Sequence, residues 1–172
     1  KKIIIKYSTS ILSNSQAAFN NFFKDKELMN KNFKVIRNGV FSGKNILNKD
    51  NNLRKELGLK EDFFIIGHVG RYTNAKNFNV MIKIANILCK NDSNIYFLFC
   101  GKGVCESLDK LVIDTNIRSK IITPGHCENI NDYYSLMNIF LFPSINEGQP
   151  NALIEALLNE IPIVASNIQP II

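Results

Sequence analysis

Nothing in the 172 residues approaches the uninterrupted apolar run of roughly 18–20 residues that a membrane-spanning helix needs. Five prolines and nine glycines are too few for a low-complexity chain. The opening Lys1-Lys2-Ile3 carries no Met, and no apolar stretch with a small-residue cleavage site follows it, so no secretory leader is visible. The chain starts in mid-pattern, as a piece of a longer protein does. Its four cysteines, at 89, 100, 105 and 127, form no C-x-x-C pair, and His68 and His126 are its only histidines. That spacing offers no zinc site and points to buried free thiols in a reducing compartment.

What is present is close to a globular average, with 45% hydrophobic and 21% charged residues. The net charge of +6 is uneven: residues 1–60 hold thirteen Lys/Arg against four Asp/Glu, and residues 61–172 hold eight against eleven. A basic front can serve nucleic acid, an anionic membrane surface or an anionic ligand. Without the aromatic–basic alternation that stacks bases, it reads as solvated lysine, and nucleic acid is not an expected partner.

From residue 61 onward, five short apolar runs alternate with helical patterns: 63–69, 95–100, 120–122, 139–142 and 161–165. Nearly continuous apolar character is what parallel strands covered on both faces require. Phe78, Met81, Ile82, Ala85 and Leu88 recur at spacings of three and four, marking an amphipathic helix that Asn74 could cap. Further helices fit 104–114, 130–137 and 150–158. This alternation predicts an α/β doubly wound parallel sheet, Rossmann-like in kind. The front predicts a strand at 9–12, a helix at 15–23 and a strand at 34–36 ending in the Asn38-Gly39 turn. A polar stretch at 42–52 then leads to a short helix at 53–57. Residues 1–33 are too few for a core of their own and read as the tail of a preceding domain; 34–172 read as a second, incomplete one.

In such a sheet, ligands bind beyond the carboxyl ends of the strands. Those ends carry Gly70-Arg71, Gly101-Lys102-Gly103, Gly125-His126-Cys127 and Pro143-Ser144, with Glu147-Gly148 shortly after. Backbone N–H groups beside Arg71, Lys76 and Lys102 suit phosphate. The Gly-Lys-Gly turn alone is weak, being neither a Walker loop nor G-x-G-x-x-G. The segment 143–158 says more. Pro150 marks a helix start, Glu147 lies in the loop before it, and Glu155 falls inside an otherwise apolar run. A carboxylate there needs a partner or a route to solvent, and ligand hydroxyls are one candidate.

This segment resembles the E-x7-E region of the group 1 (family 4) retaining glycosyltransferases with a GT-B-type fold. Their pattern P-S-x-x-E-G-x-P-x-x-x-x-E-A is met at every fixed position of 143–156. Val69-Gly70-Arg71 followed by Lys76, the glycines at 101 and 103, Gly125 with Ile130, and Asn38-Gly39-Val40 near the interdomain linker extend the likeness over about 35–170.

The resemblance implies a donor-binding, C-terminal GT-B half cut short at both ends, with 1–33 the tail of an acceptor-side domain. It implies transfer of a sugar from a nucleoside-diphosphate donor, UDP- or GDP-linked, to a glycan or lipid-linked acceptor in polysaccharide biosynthesis, with retention and without a metal or other cofactor. The absence of Asp-x-Asp agrees with that. Arg71 and Lys76 would hold the diphosphate and, with Glu147, form the catalytic set. Glu155 would accept from the ribose. Glu147 would bind the transferred sugar, helped by backbone around Gly148, Gln149, Pro150 and Asn151. Gly70 and Gly101 would line the crevice, and Gly125, His126 and Cys127 would border the base. The resemblance implies a cytoplasmic enzyme, with peripheral membrane association through the missing N-terminal domain, and a piece that binds donor without transferring sugar. One departure is Asn159-Glu160, where the family has Asn-Gly after the helix. A sugar-nucleotide epimerase of the same architecture and a non-catalytic nucleotide-sugar-binding module are the alternatives.

Overall fold

The computed structural model describes residues 2–23, 32–40 and 51–168. The polar stretch expected at 42–52 lies mostly outside them.

The front comprises helix α1 (Lys2–Tyr7), strand β1 (Ser10–Ser13), helix α2 (Gln16–Phe22) and strand β2 (Asn32–Val35). Helix α1 was not expected. Ser15 caps α2 by accepting the Ala18 N–H at 3.0 Å. β1 and β2 pair in parallel, Ile11 opposite Phe33 and Ser13 opposite Val35. Ile11, Phe19 and Phe23 form a small buried cluster of their own, with Phe33 stacked on Phe19. The boundary expected at 33/34 falls inside β2.

The larger unit runs α3 (Asn51–Glu56), β3 (Phe64–Val69), α4 (Phe78–Asn91), β4 (Ile95–Cys100), α5 (Val104–Leu111), α6 (Thr115–Arg118), β5 (Ile121–Gly125), α7 (Ile130–Ser135), β6 (Ile139–Phe142), α8 (Asn151–Leu158) and β7 (Ile163–Ala165). Its five strands lie in the order β5-β4-β3-β6-β7, and every pairing is parallel. The predicted doubly wound α/β sheet is therefore present, and the period of two along each strand shows why it must be covered twice. Ile65, Leu98, Cys100, Phe140 and Phe142 face one buried cluster, with α7 and α8 residues; Ile66, Phe97, Phe99 and Leu141 face the other, with α4 and α5 residues.

Several boundaries moved for identifiable reasons. Asn74 does not cap α4; it opens a 3-10 turn over Asn74–Lys76, and Asn77, left-handed at φ 58°, sits at the helix start. The helix expected at 104–114 stops at Leu111, because Asp114 accepts from the Asn116 and Ile117 N–H groups and begins α6. Pro150 occupies the cap position of α8 rather than its first turn. At the other end of α8, Glu160 takes the left-handed conformation, φ 56°, that the family's usual glycine would adopt without strain. Of the four free thiols only Cys100 is fully buried; the other three are part-exposed.

Candidate functional site

Chain order along the sheet reverses between β3 and β6, since β4 and β5 lie to one side of β3 and β6 and β7 to the other. A crevice opens at the carboxyl ends of strands at such a switch point. The residues after β3 and after β6 meet there. The Ile145 N–H donates to the Ala75 carbonyl at 2.9 Å, and the Asn77 carboxamide donates to the Pro143 carbonyl at 3.2 Å. Across this seam the Lys76 ammonium donates to Glu147 Oε1 at 2.7 Å, with both side chains less than one-fifth exposed. The ammonium also lies over the Phe142 ring, 4.8 Å from its centroid. Two residues 71 apart in sequence thus form one charge pair at the mouth of the switch point. Arg71, two residues past β3, is exposed.

Beneath Gly70 lies His68, wholly buried. Its Nδ1 is 2.9 Å from the Leu141 carbonyl, while Nε2 has no hydrogen-bond partner. Burial, together with the nearby Lys76 charge and against the hydrogen bond to Leu141, lowers its pKa to about 4.

On the other side of β3 the glycine turns are laced together. The Gly70 N–H donates to the Cys100 carbonyl at 2.9 Å, the Tyr72 N–H to the Lys102 carbonyl at 3.1 Å, and the Gly101 N–H to the Gly125 carbonyl at 2.7 Å. Gly101 has φ +150°, and a Cβ there would fall 2.0 Å from the Gly70 carbonyl oxygen. No other residue fits so close a backbone approach. Gly125 ends β5; His126 beside it is exposed and Cys127 is half-buried. Its hydrogen bond with Cys100 lowers the Cys127 thiol to about 7, helped by Tyr133 and opposed by burial. Tyr133 in turn is pushed up to about 12, first by burial and then by Cys127.

Helix α8 supplies the third wall. Glu155, half-buried, accepts the Tyr134 hydroxyl at Oε2, 2.8 Å away; that hydroxyl also lies 3.0 Å from the Ala152 carbonyl. The carboxylate therefore has a protein partner already. Burial, and next the Glu155 charge, raise the Tyr134 pKa far above its ordinary value, so the hydroxyl stays a donor. In the loop before α8, Gly148 packs against Asn14 and Ala18 of the front unit. The Gln149 side chain accepts the Asn38 N–H at 2.6 Å and returns a donor to the Asn38 carbonyl at 2.8 Å. Asn38 Nδ2 also donates to Asn151 Oδ1 at 3.3 Å.

The fold thus brings Gly70, Lys76 and Glu147 together at the β3–β6 end, with Arg71 and Gly148 next to them in sequence and Gly101, Gly125, Cys127 and Glu155 carried by the elements beyond. His126 turns to solvent. Tyr134 and His68 were missed by sequence reasoning. Tyr134, in the mostly polar segment of α7, gave no distinct signal. The signal for His68 was one imidazole inside an otherwise apolar strand.

Residues 49–172 match the family described as Glycosyl transferases group 1. Over 173 aligned residues the chain is 35% identical to the capsular polysaccharide biosynthesis glycosyltransferase CapH of Staphylococcus aureus, covering 98% of this chain and 46% of that protein. It is 30% identical over 142 residues to an Escherichia coli protein named UDP-Gal:alpha-D-GlcNAc-diphosphoundecaprenol alpha-1,3-galactosyltransferase, covering 78% of this chain and 36% of that one. Among solved structures, Anabaena HepE in complex with UDP and glucose superposes with a TM-score of 0.76 at 21% identity, over 96% of this chain and 46% of HepE. The doubly wound sheet is thus that of one half of a GT-B-type glycosyltransferase. The chain belongs to the group 1 glycosyltransferase family and spans less than half the length of these relatives.

Proposed function

We propose that this chain is the donor-binding half of a retaining, metal-independent glycosyltransferase that moves a sugar from a nucleoside-diphosphate donor to a glycan or lipid-linked acceptor in polysaccharide biosynthesis. The observation that carries the reading is the Lys76–Glu147 pair across the topological switch point, with Arg71 exposed two residues past β3. A cation and an acceptor held in contact are the two groups that a sugar diphosphate needs, one for its phosphate and one for its sugar hydroxyls. In this reading the donor separates them. Lys76 and Arg71 take the β-phosphate, where leaving-group charge develops as the glycosidic bond breaks, and their fixed charge stabilises it. Glu147 turns to the transferred sugar, helped by the backbone around Gly148–Asn151. Glu155, held by Tyr134, accepts from the ribose, and Gly125, His126 and Cys127 border the base.

A uridine donor is supported by the relative named for UDP-Gal and by the similar structure solved with UDP. Among the described residues no helix is long and apolar enough to cross a membrane. We place the enzyme in the cytoplasm, where nucleotide sugars and lipid-linked acceptors meet at the inner membrane face. Residues 1–33 belong, on this reading, to the acceptor-side domain, and the 172-residue piece binds donor without transferring sugar. Titration calorimetry with uridine and guanosine diphosphates tests the proposal. Binding of one of them, weakened in Glu155→Gln, supports it; no binding of any nucleoside diphosphate overturns it.

A further inference from the structure

The His68 imidazole is enclosed by aromatic rings. Phe140 is stacked on it, Phe142 is tilted against it, and Phe78 and Phe99 meet it edge to face. None of these rings offers a polar hydrogen. The Leu141 carbonyl can only accept, so the proton sits on Nδ1, and the neutral ring carries a lone pair on Nε2. That acceptor is fully buried and has no partner. Buried acceptors seldom stay unmet, and each one that does calls for a reason.

The direction in which Nε2 points supplies one. A Cβ built on Gly70 would stand 3.0 Å from Nε2 and 3.2 Å from Cε of Lys76. Both groups therefore flank the same point, and the ammonium is one bond beyond that Cε. The ammonium has three N–H groups and is committed to Glu147 through one short bond. The Phe142 face beneath it attracts the cation without fixing a direction.

We propose that His68 is a positioning residue for Lys76: when Glu147 releases the lysine, Nε2 accepts one of its N–H groups and holds it at the floor of the crevice. The proposal rests on the reading of Lys76 and Glu147 as donor-contacting groups, and it explains how the lysine stays aimed while the glutamate changes partner. It also accounts for glycine at position 70, because a side chain there would stand between the imidazole and the lysine.

The exchange can be observed without a donor. In protein labelled with nitrogen-15 at histidine, the Nε2 resonance of His68, assigned by its loss in His68→Gln, reports whether that atom accepts a hydrogen bond. Glu147→Ala frees Lys76, and the Nε2 resonance should then move upfield while Nδ1 stays. Adding Lys76→Met to Glu147→Ala should return it to the parent position. Glu147→Gln, which preserves side-chain shape, should give a smaller shift of the same sign. An Nε2 resonance that ignores Glu147→Ala, or that moves equally in the double variant, overturns the proposal and makes the buried lone pair a packing feature. Calorimetry with UDP on the unsubstituted protein separately judges the donor reading. Absence of binding there counts against that reading, while the Glu147→Ala spectra still decide the role of His68.

Discussion

The two ends of the crevice satisfy their carboxylates in different ways. At the β3–β6 end Glu147 is held by a charge, the Lys76 ammonium 2.7 Å away. At the α7–α8 end Glu155 is held by a neutral hydroxyl, that of Tyr134 at 2.8 Å. On the proposed reading a donor parts Glu147 from Lys76, and each of the two groups then needs a replacement partner before the exchange is favourable. A ligand that uses Glu155 can leave the Tyr134 bond in place, because a carboxylate has about four acceptor sites. The first end is an exchange of partners and the second a standing template. Changes at the first should therefore alter turnover, and changes at the second should alter affinity.

The largest effect is expected where charge develops. In the full-length enzyme, Arg71→Ala or Lys76→Ala should lower turnover by about 2.7–4 kcal/mol of transition-state stabilisation, roughly 10²–10³-fold. Thermal unfolding should hardly change for Arg71→Ala, which is exposed. Steady-state kinetics with the donor varied decide the matter, and rates within a few-fold of the parent would remove the phosphate role.

Beneath the same end, His68 should make the protein acid-sensitive. Its pKa is lowered to about 4 in the fold against an ordinary 6.5. The unfolded chain therefore binds the extra proton first. The stability linked to this group is fully present above pH 6.5 and is lost as pH falls toward 4, by up to about 3 kcal/mol. Denaturant midpoints measured across that window should fall for the parent. For His68→Phe, which cannot titrate, they should fall less.

The template end should fail in affinity. Glu155→Gln replaces a charged acceptor, whose hydrogen bonds are worth roughly 1.5–3 kcal/mol. Nucleoside-diphosphate binding should weaken by about that amount, while Glu147→Gln leaves it nearly unchanged and damages transfer. Equal losses in both variants would erase the distinction between the two ends.

How much of this contrast could be read in the sequence depended on periodicity. The apolar runs at 95–100 and 139–142 became strands with those bounds, because both faces of each are buried and no polar residue blurs their ends. The need of Glu155 for a partner was legible from the apolar residues around it. The identity of that partner was not, since Tyr134 comes from another helix, 21 residues away. Lys76 was expected just beyond one strand end and Glu147 in the loop after another, yet their contact is a product of strand order, which no local pattern encodes. The misplaced cap at Asn74 has a local cause. Asn77 is also an asparagine, and its left-handed backbone starts α4 while its side chain holds Pro143.

The smallest effect is expected at the seam between the front unit and the loop before α8. Gln149 meets the backbone of Asn38 through a reciprocal pair of hydrogen bonds, 2.6 and 2.8 Å, much as one rung of a ladder would. Its carboxamide is thus engaged by the chain itself, and any contribution of this residue to a donor falls to its backbone. Both bonds are solvent-exposed, which puts each near the low end of the net value of about 0.5–1.5 kcal/mol. Gln149→Leu keeps most of the side-chain volume and removes both, so unfolding in denaturant should cost about 1 kcal/mol less than in the parent. Asn38→Ala keeps the backbone groups that Gln149 reads and gives up only the longer contact to Asn151, at 3.3 Å, so its loss should be smaller still. Affinity for the free diphosphate should stay within about threefold in both, a change below ~0.7 kcal/mol. A larger loss of affinity in Gln149→Leu than in Glu155→Gln would mean that the seam with the front unit, and not α8, sets the geometry of the template end.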